Sequence, residues 1–190
     1  MGTDNGLRYL SGMSKLTKVH LDSTRITDRG LAYLRHLRFL EWLTLEGTAV
    51  QGTGLLSCGP LPSLTFLGCA NTQMTSEGLA FLAGAPRLDC LHLTGCPVDD
   101  DGMQSVAKCG KLTSLHLSGT AIGNRGVRYL ASLRHLSRLS LGDTKVDGGI
   151  VDDLGQMKSL REVDVSGTRM SAADVQRLKT LLPASEIRSD

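Results

Sequence analysis

The stretch LTSLHLSGTAIGNRGVRYLASL, residues 112–133, decides the fold. Leu112, Leu115 and Leu117 form an L-x-x-L-x-L block. Thr120 and Ile122 follow, then Gly126-Val127, Leu130 and Leu133, and the block restarts at Leu136 as LSRLSL. Outward from this stretch, the first leucine of the block recurs at Leu16, Leu40, Leu64, Leu88, Leu112, Leu136 and Leu160, always 24 residues apart. With that leucine as position 0, position 3 reads Val19, Leu43, Leu67, Leu91, Leu115, Leu139, Val163. Position 5 reads Leu21, Leu45, Cys69, Leu93, Leu117, Leu141, Val165, and position 8 is threonine except at Cys96. Position 14 is glycine from Gly30 to Gly126, then Ile150 and Asp174. A period kept without insertion marks a repeat array.

Each repeat has a physical reading. Apolar residues at positions 3 and 5 alternate with polar ones, which predicts a short strand with one covered face. After a turn, apolar residues at positions 15, 18 and 21 or 22 have helical spacing. Asp28, Ser76, Asp100 and Asn124 stand where a side-chain oxygen can cap those helices. Glycine at position 14 is expected to bring the helix close to the strand layer. Threonine at position 8 is expected to donate to a backbone carbonyl of the adjoining turn and to form a ladder along the array, with Cys96 as its small isostere. One strand and one helix cannot bury a core alone, so neighbours must stack. The expected fold is a single α/β solenoid, a right-handed β-α superhelix, with a concave parallel sheet inside and helices on the convex side. Residues 1–15 read as a partial N-terminal repeat, 16–183 as seven repeats, and 184–190 as a C-terminal cap with Ile187 in a closing strand.

Composition narrows the function classes. Of 190 residues, 41% are apolar but only 4% aromatic, so the core is aliphatic. A formal net charge of +2 does not suggest nucleic acid or an anionic membrane as partner. The small basic groups Arg35, His36, Arg38 and Arg134, His135, Arg138 lack the interleaved aromatics of nucleic-acid binders. No apolar run approaches the roughly 18 residues of a membrane span, so no membrane insertion is expected. MGTDNGLRYL lacks the apolar segment of a signal peptide, and Gly6 stands where a myristoylation signal needs Ser or Thr. Five cysteines, an odd number without C-x-x-C spacing, fit a reducing intracellular setting. Cys58, Cys69 and Cys109 fall in core slots and read as small hydrophobes.

Positions 2, 4 and 6 should project from the sheet's inner face. Position 2 runs Lys18, Trp42, Phe66, Cys90, Ser114, Arg138, Glu162, and position 4 runs His20, Thr44, Gly68, His92, His116, Ser140, Asp164. Adjacent Trp42 and Phe66 on a wet face point to an interaction site. Alternatively, they shield the sheet against each other. Gly68 and Ala70 beside them suggest a shallow floor for a partner side chain. Cys90, His92 and His116 cluster on two repeats. Two such side chains on a flat face should converge poorly, and no adjacent carboxylate orients the rings, so a polar contact surface is expected there, with a metal or thiol enzyme at Cys90, His92 and His116 as the lesser alternative. Asp22, Glu41 and Glu46 at one end and Arg138 and Arg161 at the other suggest a mixed surface able to orient a bipolar partner. No cofactor and no enzymatic activity are expected. The array lacks a P-loop, Gly-x-Ser-x-Gly and H-E-x-x-H.

The pattern carried by Leu16, Val19, Leu21, Thr24, Ile26, Thr27, Asp28, Gly30, Leu31, Leu34 and Leu37 resembles leucine-rich repeats, most closely the cysteine-containing subclass with threonine or cysteine at position 8. For function that resemblance implies only a binding scaffold; with the strand alternation, the expectation is a protein partner on the concave sheet, with Trp42, Phe66, Cys90, His92, His116 and Arg138 on the face concerned. The alternative is the substrate-recognition part of a larger, ubiquitin-ligase-like or signalling protein, since such arrays occur in F-box-type substrate receptors.

Overall fold

Residues that must hide positions 3 and 5 while exposing 2 and 4 can do so only as stacked strands with one covered face. The computed structural model, which describes residues 2–190, has this form. Eight parallel strands lie in sequence order in one sheet: β1 Lys18–His20, β2 Trp42–Thr44, β3 Phe66–Gly68, β4 Cys90–His92, β5 Ser114–His116, β6 Arg138–Ser140, β7 Glu162–Asp164 and β8 Glu186–Arg188. The register is the 24-residue period itself, with Leu43, Leu67, Leu91, Leu115 and Leu139 in one row. That row is buried, and the aliphatic residues at positions 0, 3, 5 and 10 join the helix leucines in one continuous core.

The helical side is thinner than the sequence spacing suggests. α1 Asp4–Leu7, α2 Asp28–Leu31, α3 Thr53–Cys58, α4 Met103–Val106, α5 Asn124–Leu130, α6 Val151–Gln156 and α7 Ala172–Leu181 are short, and Gly78–Gly84 is wholly 3₁₀. Strands pair about 4.8 Å apart, whereas α-helices pack about 8–10 Å apart. Narrow, short elements reduce that mismatch, which one repeat after another must absorb.

Two columns play roles other than those their residue types suggest. Glycine at position 14 does not bring the helix to the strand layer. It makes room for the preceding repeat: a Cβ on Gly54 would strike the backbone of Asp28, one on Gly30 would meet Asp4 and Leu7, and one on Gly126 would meet Asp100. Asp28 likewise does not cap its own helix. Its carboxylate accepts from the backbone N–H groups of Gln51, Gly52 and Gly54 at 2.8, 2.9 and 2.7 Å, the N-terminus of the next repeat's α3. Asp4 accepts from the Thr27 N–H, and Asp100 from that of Gly123, in the same way. The helices' own caps stand one residue earlier, at Thr27, Asp99, Asp147 and Ser171. Position 12 therefore stitches repeats together, because a carboxylate there points along the stack rather than down its own helix.

Threonine at position 8 closes its own repeat. Thr24, Thr48, Thr120 and Thr144 each donate to the position 5 carbonyl three residues back at 2.6 Å. These bonds are the expected donation to a turn carbonyl, each closed within its own repeat and recurring along the array. Cys96 is the departure, since its thiol reaches the Cys69 carbonyl of the preceding repeat at 3.0 Å. The cysteines are all unpaired, and no helix among the described residues is long and apolar enough to cross a membrane.

Candidate functional site

The strands hold the open face in register, so consecutive repeats present their side chains as adjacent rungs. Trp42, Phe66, Cys90 and Ser114 occupy one row, and Thr44, Gly68, His92 and His116 the next. The aromatic rings form a continuous diagonal. The Trp42 and Phe66 rings stack with centroids 3.7 Å apart and planes 4° from parallel. Phe66 meets His92 edge-on at 5.0 Å, and His92 meets His116 edge-on at 4.2 Å. Lys18 Nζ lies 5.9 Å from the indole centroid, within cation–π range. The rings are half-buried, so the shielding reading and the exposed reading are each partly true. Stacking covers one ring face and leaves the rest at the surface. The indole Nε1 of Trp42 is buried and has no hydrogen-bond partner among the described residues.

An open groove of about 480 Å³ runs along these rings, lined among others by Trp42, Phe66, Cys90, His92, His116 and Arg138. The structure thus brings all six sequence-selected residues to one depression. It also adds groups that the alternation rule did not pick out. Thr65 and Asp89, at position 1, line the same groove. Ser114 is fully buried beneath it, its hydroxyl 3.0 Å from His116 Nε2, while Ser140 Oγ lies 3.3 Å from His116 Nδ1. One serine at position 2, Ser114, and one at position 4, Ser140, both beside His116, were the available signal.

Four expectations need correction. The Cys90, His92 and His116 donor atoms do converge, lying within 4.8 Å of one another. A carboxylate does stand beside the rings, with Glu46 Oε1 3.9 Å from His92 Nδ1. It reaches across from two strands away because Gly68 between them has no side chain, and a Cβ there would lie 3.0 Å from Glu46 Oε1. The floor at Gly68 is accordingly taken by the chain's own Glu46 and Phe66 and does not offer an empty slot. Arg161, expected at the cationic end of the face, turns its guanidinium onto the Lys158 and Leu160 carbonyls. Asp22 is engaged too, accepting from Thr44 Oγ1 and the Glu46 N–H. His20 stays apart on β1, with Nδ1 3.1 Å from Thr44 Oγ1.

Burial sets the protonation of the cluster. It drives the pKa of His116 down to about 4, helped by neighbouring His92 and Arg138. His92 is lowered by burial and by Arg138, against the pull of Glu46. The Cys90 thiol is raised by burial, with Asp89 adding to the rise, although the Ser114 hydrogen bond and Arg138 act in the other direction. The cluster therefore holds neutral imidazoles and a neutral thiol at neutral pH, and burial opposes the thiolate–imidazolium pair that a cysteine nucleophile needs.

A one-sheet solenoid of parallel strands at a fixed 24-residue period belongs to the repeat folds. A family profile described as Leucine Rich repeat matches residues 12–35, 88–107 and 108–131, and the fold is that of a leucine-rich repeat solenoid. Its fold is similar to that of internalin C2 from Listeria monocytogenes, at 23% identity and a TM-score of 0.79, over 100% of this chain and 76% of that one. It is also similar to a leucine-rich repeat protein from Leptospira interrogans, at 19% identity and a TM-score of 0.67, over 95% of this chain and 50% of that one. These likenesses concern the fold. No curated protein sequence matches the chain.

Proposed function

We propose that this chain is a protein-binding module, not an enzyme, and that its partner docks on the open sheet face along the Trp42–Phe66–His92–His116 row. Leucine-rich repeats commonly serve as protein-interaction scaffolds. The observation that carries the reading is the ring row itself: stacked aromatics, already ordered by the strands, lining an open groove. Rigid aromatic surface contributes contact area at little entropic cost on binding, and Trp is enriched among residues that dominate interface energies. The buried, unpaired indole N–H supports the same reading, since a small shift of the stack would free it to donate to a partner carbonyl. Arg138 and Glu162 at the far end of the groove add opposite charges that orient the bound segment.

The test is a comparison of captured partners between the wild type and a Trp42→Ala/Phe66→Ala variant, with circular dichroism to verify that the variant stays folded. The wild type should enrich a discrete partner whose affinity falls by tenfold or more in the variant, a loss of at least about 1.4 kcal/mol. A folded variant that holds the same partner equally well would place the site elsewhere.

A further inference from the structure

We propose that Cys90, His92 and His116 form a metal site of the zinc class on the open face. Cys90 and His92 lie two residues apart on β4 and so project to the same side, and His116 is paired directly beside His92 on β5. The three donor atoms already lie within 4.8 Å of one another.

Zinc binds sulfur at about 2.3 Å and imidazole nitrogen at about 2.0–2.1 Å, so tetrahedral neighbours stand about 3.5 Å apart. Closing the set therefore needs about 1 Å of side-chain rotation. The backbone can stay where the ladder holds it, with the Leu93 and Leu117 N–H groups bonded to the next rung on either side of the cluster. One soft sulfur and two imidazole nitrogens suit zinc and its neighbours among the transition metals, and hold no attraction for magnesium or calcium, which demand oxygen.

The surroundings suit such a site as well. Glu46 lies on the Nδ1 side of His92, which leaves Nε2 for the ion. Both nitrogens of His116 have a serine hydroxyl nearby, so whichever nitrogen binds the ion, the other keeps an orienting partner. Three protein ligands leave the fourth position open toward the groove, for water or an incoming donor.

The probe is the metal alone, so the outcome is independent of whether a protein partner exists. Chelator-stripped protein is titrated with Co²⁺ and then with Zn²⁺. One equivalent of Co²⁺ per chain is expected, with tetrahedral visible bands and a thiolate-to-cobalt charge-transfer band, all removed by Zn²⁺. Cys90→Ser should abolish the charge-transfer band. His92→Ala and His116→Ala should each weaken uptake by about tenfold or more, with folding verified by circular dichroism. Uptake well below one equivalent, or a charge-transfer band that survives Cys90→Ser, overturns the proposal.

Discussion

Ser23, Asn71 and Asp143 hold the left-handed backbone conformation, with φ of 54°, 55° and 54°, that glycine holds at Gly47, Gly95, Gly119 and Gly167. All seven stand at position 7, where the chain leaves the sheet. The conformation aims the position 7 N–H at the next repeat: Ser23 donates to the Glu46 carbonyl at 2.7 Å and Gly119 to that of Gly142 at 2.8 Å. Asparagine and aspartate tolerate this region better than serine, for which it costs about 1–2 kcal/mol. Ser23→Gly should therefore stabilise the protein by about 0.5–1 kcal/mol after glycine's extra freedom in the unfolded chain is subtracted. A urea midpoint that falls in that variant would contradict the assignment. The column was open to view as Ser, Gly, Asn, Gly, Gly, Asp, Gly, and turn chemistry identifies it once the strand ends are known.

His116 provides a second expectation at this scale. Its pKa in the folded protein is about 4, below the usual 6.5. Between those values the unfolded chain binds more protons than the folded one, so stability falls as the pH drops from about 6.5 toward 4 and is unaffected above that window. His116→Gln should flatten this dependence in urea titrations at successive pH values. An unchanged slope would assign it to other groups.

Among elements, the decisive contacts run between repeats, not within them. Asp28 accepts three N–H groups at the start of the next repeat's helix. Asp28→Ala should cost about 2 kcal/mol, since it removes a charged cap and leaves those donors without it. Chemical denaturation measures this, and a loss under about 0.5 kcal/mol would mean that water replaces the carboxylate freely. The sequence showed that an acid precedes the helix, yet not which helix it serves. A capping pattern read within one repeat always assigns the side chain to its own helix, and the bond across 23–26 residues becomes visible only when repeats are stacked. Position 14 has the same history. Glycine was plain in the sequence, but the neighbour it admits, the Asp28 backbone against Gly54, belongs to another repeat.

At the scale of the whole molecule, stability accumulates rung by rung, each repeat resting on its neighbours. Leu91 and Leu115 in the middle are 0% exposed, whereas Val19 and Ile187 at the two ends are 6% and 9% exposed. Amide exchange should therefore be slowest in β4 and β5 and fastest in β1 and β8, and uniform protection across the sheet would contradict a nearest-neighbour stack. The architecture was legible because a strict period of 24 leaves one register for every strand. The chemistry of the face was less so. Alternation placed Trp42, Phe66, Cys90, His92 and His116 on the right side of the sheet. It could not foresee that Gly68 would let Glu46 reach His92, or that the thiol and the imidazoles would turn toward one another.

Trp42 is the only tryptophan in the chain, and it sits in the groove, stacked on Phe66 with two imidazoles further along the row. Excited at wavelengths beyond the absorption of the three tyrosines, its emission therefore reports on this groove. Whatever settles there, an ion or a polypeptide, alters the polarity and quenching around that indole. The molecule is its own unlabelled optical gauge of occupancy.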